Sequence, residues 1–256
     1  GGYYGGGAGD NSTGGGGGSS YLGGVSNGTT QSGIRSGHGK IVITMTQPST
    51  FNGSFNWANH AGGSNRTEAF SVDIFNDGSS LISGMFFGTA NFGNSISLSS
   101  NNDADGFTAK MNADGTFAWA TKVGCTSSCR VVDVAVLADG SSIITGHWNG
   151  TASFGSTSLT SNPTNCNDGF VAKLDANGYY VWVKQVGGTA SDEAAGIAVF
   201  GDGSSVVTGG FSGTVNFGVT TLTSTNHLRE IFVAKLDSNG NYLWASKAGG
   251  AGHDNV

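Results

Sequence analysis

The sequence predicts an all-β protein made of tandem repeats of about 62 residues. Four tryptophans recur at spacings of 62, 63 and 62 residues, at Trp57, Trp119, Trp182 and Trp244. A turn of sequence Asp-Gly-Ser-Ser recurs in step with them between apolar runs, starting at Asp77, Asp139 and Asp202. Asp-Gly between apolar runs is a strong hairpin signal. A fixed period of this kind indicates one antiparallel β-sheet unit per repeat, similar to a propeller blade.

Each repeat is predicted to contain four or five short strands. A closing Phe-x-Ala-Lys motif gives the period of two that a strand requires, for example in residues 170–175. The complete units cover about 57–118, 119–181 and 182–243, and a partial unit covers 244–256. We therefore expect a propeller-like array over residues 48–256, with three complete units plus a partial one.

Residues 1–47 form a glycine-rich segment that ends in a predicted β-strand at residues 40–46. Glycine runs leave few side chains to bury, which is typical of a flexible linker. The interspersed Tyr3, Tyr4, Tyr21 and Leu22 favour instead an ordered remnant of a domain. We prefer the ordered remnant and keep the linker as the alternative.

The composition narrows the possible partners. Only 11 basic and 17 acidic residues occur in 256, and the net charge is −6. Lys and Arg are scattered singly, so no basic stripe is present for a phosphate backbone and nucleic acid is not expected as a partner. No apolar window is long enough to predict a membrane span. The surface is expected to be rich in Gly, Ser, Thr and Asn, a composition that is common in extracellular β-proteins.

Two parts of the chain resemble known families. Units from about 51 to 256 resemble the bacterial β-propeller repeat of the SBBP type, with its Trp and Gly-Gly opening, its apolar–DGS–apolar–TG hairpin, its Phe-Gly element and its closing DGFVAKLD–NG hairpin. Residues 1 to about 46, with GGGGGSSY and a following GKIVIT, resemble the closing part of the glycine-rich domain of secreted and receptor ectodomain proteins. These resemblances imply propeller-like architecture and an envelope or extracellular setting, and they imply no reaction.

The sequence shows no catalytic constellation, so we expect a non-enzymatic protein. No G-x-S-x-G elbow or H-E-x-x-H motif occurs. A catalytic group is needed once, whereas a packing group is needed in every repeat. The four recurring tryptophans are therefore interpreted as packing between blades. Trp148 is the one tryptophan outside their register, which makes it a candidate for stacking on a ligand such as a glycan.

Several aspartates in the longer loops are weak candidates for calcium binding, and no other cofactor is expected. They are Asp103, Asp105, Asp168 and Asp192. Strand counting brings the loops that carry them to one face of the array, and carboxylate and carbonyl oxygens are the ligands that Ca²⁺ prefers. Turn capping by the same side chains is the alternative, because no D-x-[DN]-x-[DN]-G ladder is present.

Three cysteines are disulfide candidates, Cys125, Cys129 and Cys166, and strand counting places all three on one face of a unit. The four-residue spacing in a Ser-rich turn favours a bond between Cys125 and Cys129. A bond from one of these to Cys166 and three reduced thiols are the alternatives. A disulfide would indicate an oxidising compartment.

These observations favour a structural or adhesive protein at the cell surface or outside the cell. We expect a subunit of a filament, coat or adhesin that associates with itself or with other surface proteins through β-edges and glycine packing. One alternative is a propeller module that binds a glycan or a protein. The other, weaker alternative is a fragment of a secreted hydrolase or lyase.

Overall fold

The computed structural model describes residues 57–101, 103–163, 166–225, 228–250, 252 and 254. The glycine-rich segment 1–47 and its predicted terminal strand lie outside these residues. Within the described residues the regular secondary structure is β-strand throughout, with no α-helix. The fold class predicted from the repeats, all-β with propeller-like antiparallel units, is therefore confirmed.

The strands follow one another in three equivalent sets of six. The first set is β1 (Thr67–Ile74), β2 (Ser80–Phe86), β3 (Thr89–Asn91), β4 (Ser97–Ser99), β5 (Asp105–Met111) and β6 (Phe117–Cys125). The second is β7 (Cys129–Val136), β8 (Ser142–Asn149), β9 (Thr151–Phe154), β10 (Thr157–Thr160), β11 (Asn167–Leu174) and β12 (Tyr180–Val186). The third is β13 (Glu193–Val199), β14 (Ser205–Phe211), β15 (Thr214–Phe217), β16 (Thr220–Thr223), β17 (Glu230–Leu236) and β18 (Tyr242–Ala248).

Four strands of each set form an antiparallel sheet, which we call a blade. The first blade has the order β1-β2-β5-β6, the second β7-β8-β11-β12 and the third β13-β14-β17-β18. The remaining two strands of each set form a small hairpin in the chain segment that connects the second strand of the blade to the third. These hairpins are β3–β4, β9–β10 and β15–β16. Each repeat therefore contains six strands, where the sequence predicted four or five.

The phase of the repeat differs from the predicted units. The blades span residues 67–125, 129–186 and 193–248, whereas units that begin at a tryptophan divide each sheet within its fourth strand. Residues 244–248 of the predicted partial unit belong to the fourth strand of the third blade. A period has no intrinsic starting point, and hydrogen bonding between strands decides where a sheet begins.

The hairpins fill the core of each blade with an aromatic pair. The recurring Phe-Gly element places Phe92, Phe154 and Phe217 at the end of the first hairpin strand, and all three rings are fully buried. Each contacts the phenylalanine of the third blade strand, with ring centroids 5.3, 5.0 and 5.0 Å apart for Phe92–Phe107, Phe154–Phe170 and Phe217–Phe232. The hairpin thus closes a core that the four-stranded sheet alone would leave uncovered.

Three of the four recurring tryptophans contact the following blade. The indole Nε1 of Trp57, Trp119 and Trp182 donates a hydrogen bond to the carbonyl oxygen of Ala113, Ala176 and Ser238, at 2.9, 3.0 and 3.3 Å. These carbonyls belong to the turn before the fourth strand of that blade. The turn glycines, Gly115, Gly178 and Gly240, have φ of 78–86° and lie so close to the indole that an added Cβ would approach it within 2.5–2.8 Å. Only glycine meets both demands.

A second link joins consecutive blades through the backbone. The hairpin of one blade pairs with the chain that leaves the fourth strand of the preceding blade: Gly62 with Asn91, Cys125 with Ala152, and Gly188 with Val215. A Cβ at Gly188 would overlap the carbonyl oxygen of Thr214. Glycine at this position therefore allows the close approach at Gly188, whereas Cys125 makes the equivalent backbone pair at the first junction.

Replacing a tryptophan between blades should destabilise the protein more than replacing the last one. Trp182→Ala should lower the free energy of unfolding by about 3 kcal/mol, because the ring and its hydrogen bond to the next blade are lost. Trp244→Ala should cost about 1 kcal/mol or less, because Trp244 is 43% exposed. Denaturant unfolding of the two variants tests this. Equal losses in both variants would contradict a role between blades.

Candidate functional site at the blade junctions

The last blade exposes residues that are buried at the junctions between blades. Phe75 and Leu137 directly follow the first strand of the first and second blades. They are 7% and 8% exposed because the following blade covers them. The equivalent Phe200 of the third blade is 48% exposed. Trp244 on the same blade is also exposed, unlike the half-buried Trp119 and Trp182. No other described blade covers this surface of the third blade, which we call the trailing face.

The first blade shows the complementary pattern on its first strand. Val72 and Ile74 of β1 are each 52% exposed, whereas Val134, the equivalent of Val72 in the second blade, is 4% exposed. Val134 is buried because it packs in one core cluster with Phe75 and Leu81 of the first blade. We call the exposed surface of β1 the leading face. The trailing face and the leading face are the two halves of the junction that recurs inside the array.

The segment 57–63 already occupies part of the junction on the first blade. Its sequence WANHAGG matches the WASKAGG of residues 244–250 at five of seven positions. Trp57 donates a hydrogen bond to Ala113 of the first blade, as Trp119 and Trp182 donate to the second and third blades. Gly62 pairs with the hairpin of the first blade. Residues 244–250 carry the same groups without a following blade among the described residues.

A recurring carboxylate begins the third strand of every blade. In the first blade Asp105 is buried and pairs with Lys122 at 2.9 Å, and in the third blade the buried Glu230 pairs with Lys247 at 2.8 Å. Each lysine also donates to a carbonyl oxygen of its hairpin, that of Ser99 or Thr223. In Glu230, hydrogen bonds from Lys247 and Thr225 lower the pKa to about 2. These acids are compensated structural charges.

The second blade breaks this pattern, because Gln185 stands where the other blades have lysine. Gln185 donates through Nε2 to Asp168 Oδ2 at 2.5 Å and to the carbonyl oxygen of Thr160 at 3.2 Å, so the geometry is kept and the positive charge is lost. Asp168 is fully buried, and among the described residues its Oδ1 has no hydrogen-bond partner. Burial raises the pKa of Asp168 to about 6.

A second buried carboxylate, Asp192, lies beside Asp168 at the junction of the second and third blades. Its Oδ1 accepts a hydrogen bond from the backbone N–H of Ser212 at 3.1 Å, and the Gly188 N–H also donates to this carboxylate. Its Oδ2 has no partner in the described part of the chain. Burial, reinforced by the charge of Asp168, raises the pKa of Asp192 to about 8, although Arg229 acts in the opposite direction.

The structure brings together two of the four predicted calcium candidates. Asp168 and Asp192 are neighbours at one junction. Asp105 is at the preceding junction with Lys122, and Asp103 is exposed in the loop before β5. No group of three or more His, Cys, Asp or Glu side chains able to hold a metal ion occurs among the described residues. The four aspartates therefore do not form one cluster among the described residues, and two buried acids occur together only at Asp168 and Asp192.

The cysteines lie at one end of the second blade. Cys125 and Cys129 form a disulfide with their Cα atoms 6.0 Å apart. This is the local pairing that the spacing favoured. Cys166 precedes β11 at the same end, where β11 pairs with the end of β8 and β8 with the start of β7. Cys125 and Cys129 occupy the positions that Gly188 and Asp192 occupy at the next junction, so a covalent link stands where the next junction has a buried acid.

Trp148 has a core role in place of the predicted ligand-stacking role. Its side chain is fully buried against Phe154 and Phe170, and its Nε1 donates to the carbonyl oxygen of Gly150. No face of the ring is available to a glycan. The position is also recurrent, because Phe86 and Phe211 occupy it in the other blades and are equally buried. Considering aromatic residues together, rather than tryptophan alone, would have shown this from the sequence.

The ion pairs between the recurring carboxylate and lysine were not predicted from the sequence. Lys122, Gln185 and Lys247 each stand three residues after a tryptophan, and aligning the repeats on Asp105, Asp168 and Glu230 shows the acids in register. The acid lies on the third strand of a blade and the lysine on the fourth. A unit that starts at the tryptophan assigns these two residues to different units, so the pairing is not visible in the sequence.

The described residues hold no helix that is both long and apolar enough to cross a membrane.

Comparisons with known proteins identify no family for this chain. No family model matches the sequence, and no curated protein matches it. Among solved structures, a protein of unknown function from Bacteroides caccae is similar at 12% identity. The match covers 71% of this chain and 82% of that protein, with a TM-score of 0.29.

The disulfide is expected to be the bond found by non-reducing peptide mapping. Cys125→Ser together with Cys129→Ser should lower the free energy of unfolding by about 2 kcal/mol, which is the chain-entropy value for so short a loop. Cys166→Ser serves as the control, with a smaller effect. Recovery of Cys125 and Cys129 as alkylatable thiols from protein prepared under oxidising conditions would contradict the assignment.

Stability should fall as the pH rises from about 4 to about 8 in buffer containing EDTA. The pKa values of Asp168 and Asp192 are about 6 and about 8 in the folded protein, against 3.8 for an ordinary aspartate. Above pH 3.8 the unfolded chain releases protons that the folded chain still holds, so stability falls until the pH has passed the folded values and is constant above them. Melting temperatures across this range test it. Asp192→Asn should flatten the decline near pH 8, and an unchanged profile in this variant would contradict the assignment.

Proposed function

We propose that this protein is a non-enzymatic structural or adhesive module of the bacterial β-propeller repeat type, and that its copies associate head to tail at the cell surface or outside the cell. The observation that carries the proposal is the exposure of Phe200, at 48%, beside equivalents that are 7% and 8% exposed. The trailing face is a surface built for a following blade. The occupant we propose is the leading face of a second copy.

The two faces are complementary in their chemistry. Phe200 and Trp244 on the trailing face are large apolar groups, and so are Phe70, Val72 and Ile74 on the leading face. Inside the array, residues at these positions meet one another across each junction. Contiguous apolar surface of this kind, flanked by polar residues, is typical of interaction sites.

Residues 244–250 supply a specific mode of attachment. They carry the tryptophan and the Gly-Gly that segment 57–63 uses on the first blade. In the proposed assembly, residues 244–250 of one copy take the place of segment 57–63 on the first blade of the next copy. The contact joins unlike surfaces, so repeating it gives a ring or a filament rather than a twofold dimer.

Three further features support the extracellular and structural parts of the proposal. The Cys125–Cys129 disulfide favours an oxidising compartment. The low charge and the many Gly, Ser, Thr and Asn residues are common in surface proteins. The groups that recur in every blade have packing or charge-compensating contacts, which is the pattern expected where no reaction is catalysed. The glycan-binding alternative loses its main support with the burial of Trp148.

The proposal predicts that the exposed trailing face controls association. Wild-type protein should form species larger than a monomer as its concentration rises, in light scattering coupled to size exclusion and in negative-stain images. Phe200→Ser with Trp244→Ala should shift the association to at least about tenfold higher concentration, because each removed anchor contributes more than about 1 kcal/mol.

The matched control is Val181→Ser. Val181 is 58% exposed, and its equivalents Ala118 and Leu243 are exposed in the other blades, so it belongs to no junction. This variant should associate like the wild type. A wild type that is monomeric at every concentration, or equal association by the two variants, would refute the proposal.

A further inference from the structure

The junctions between blades differ in how they balance buried charge. At the first junction Asp105 Oδ1 accepts the backbone N–H of Cys125 at 2.9 Å, and its Oδ2 pairs with Lys122. The position equivalent to Asp192 holds the disulfide-bonded Cys129. One buried carboxylate therefore faces one lysine at this junction.

At the second junction two buried carboxylates face no lysine. Asp168 and Asp192 are both 0% exposed, and the residue in the place of Lys122 is the neutral Gln185. Both carboxylates meet the same dipeptide, because Asp168 lies against Gly187 and Asp192 accepts the N–H of Gly188. Arg229, whose charge acts on Asp192, is paired with Glu193 at 2.7 Å. Burying uncompensated carboxylates is costly, so a compensating positive species is expected here.

Each carboxylate also keeps one oxygen without a hydrogen bond. Asp168 Oδ1 and Asp192 Oδ2 are buried and have no partner in the described ranges. The other oxygen of each is fixed by donors, Gln185 and Asn162 for Asp168 and Ser212 for Asp192. Buried polar atoms are almost always satisfied in folded proteins, and an orphaned pair requires an explanation. Among the described residues, each of these two buried acids at one junction therefore keeps an oxygen that can accept a further partner.

We propose that the junction of the second and third blades binds one Ca²⁺ ion through Asp168 and Asp192. The ion supplies the charge that Lys122 and Lys247 supply in the other blades, and it links the two blades where the first junction has its disulfide. Oxygen donors alone favour Ca²⁺ or Mg²⁺ over Zn²⁺, which requires His or Cys. Ca²⁺ is preferred over Mg²⁺ because it accepts irregular coordination and completes its shell with carbonyls and water.

Two protein carboxylates predict modest affinity. Extracellular calcium modules bind in the range of about 10⁻⁴–10⁻³ M. At a Ca²⁺ concentration about tenfold above the dissociation constant, the melting temperature should rise by about 3–6 °C relative to EDTA. Titration calorimetry with calcium chloride should give one site per chain. Both measurements are made at a pH above 8, where protons compete least for Asp192.

Variants separate this site from calcium bound elsewhere. Gln185→Lys restores the lysine of the other blades and should fold normally, with the calcium-dependent rise in melting temperature lost. Asp192→Asn should lose it as well. Asp105→Asn, at the equivalent acid of the first blade, should retain it. Mg²⁺ should give a smaller rise than Ca²⁺.

Three results would overturn the proposal. One is a wild type whose melting temperature does not respond to Ca²⁺ or Mg²⁺, which would leave the two aspartates neutralised by protons. Another is an undiminished response in Gln185→Lys and Asp192→Asn, which would place the ion elsewhere. The third is a response to Mg²⁺ equal to that to Ca²⁺, which would contradict the identity of the ion.

Discussion

The contact of a tryptophan with the glycine turn of the following blade is the interaction on which the array depends. Trp119 illustrates it: the ring lies on Gly178, and its N–H donates to the carbonyl oxygen of Ala176. The contact needs an aromatic residue on the fourth strand of one blade and a left-handed glycine in the next. The tryptophan and the glycine lie 58 or 59 residues apart, so they fix both the length of the repeat and the distance between sheets.

This dependence explains how much of the fold the sequence could predict. Tryptophans in register and Asp-Gly turns are local signals, and they give the strand content and the repeat directly. The phase is not local, because it depends on which strands exchange hydrogen bonds. Starting each unit at tryptophan placed Lys122 and Asp105 in different units, although they form one ion pair. The resulting prediction of calcium ligands therefore treated Asp105 and Asp168 alike, when only Asp105 has a cation beside it.

The case of Trp148 shows a different limit. Its residue type is unique at that position, but its environment is shared with Phe86 and Phe211. Core positions select for size and apolar character, so a larger aromatic ring is accepted where neighbouring side chains leave room. Residue identity alone therefore suggested a special role that burial does not support. The Cys125–Cys129 bond was easier to predict because four residues of chain hold its ends close in any architecture.

The blades are alike in backbone and unlike in the chemistry that fastens them. Cys129, which belongs to the disulfide at one junction, corresponds to the buried acid Asp192 at the next. In an array whose units are stabilised by their neighbours, each unit can open with its own free energy. Local opening should therefore begin in residues 193–248 and be slowest next to the Cys125–Cys129 bond, so the molecule has a built-in gradient of rigidity along its chain.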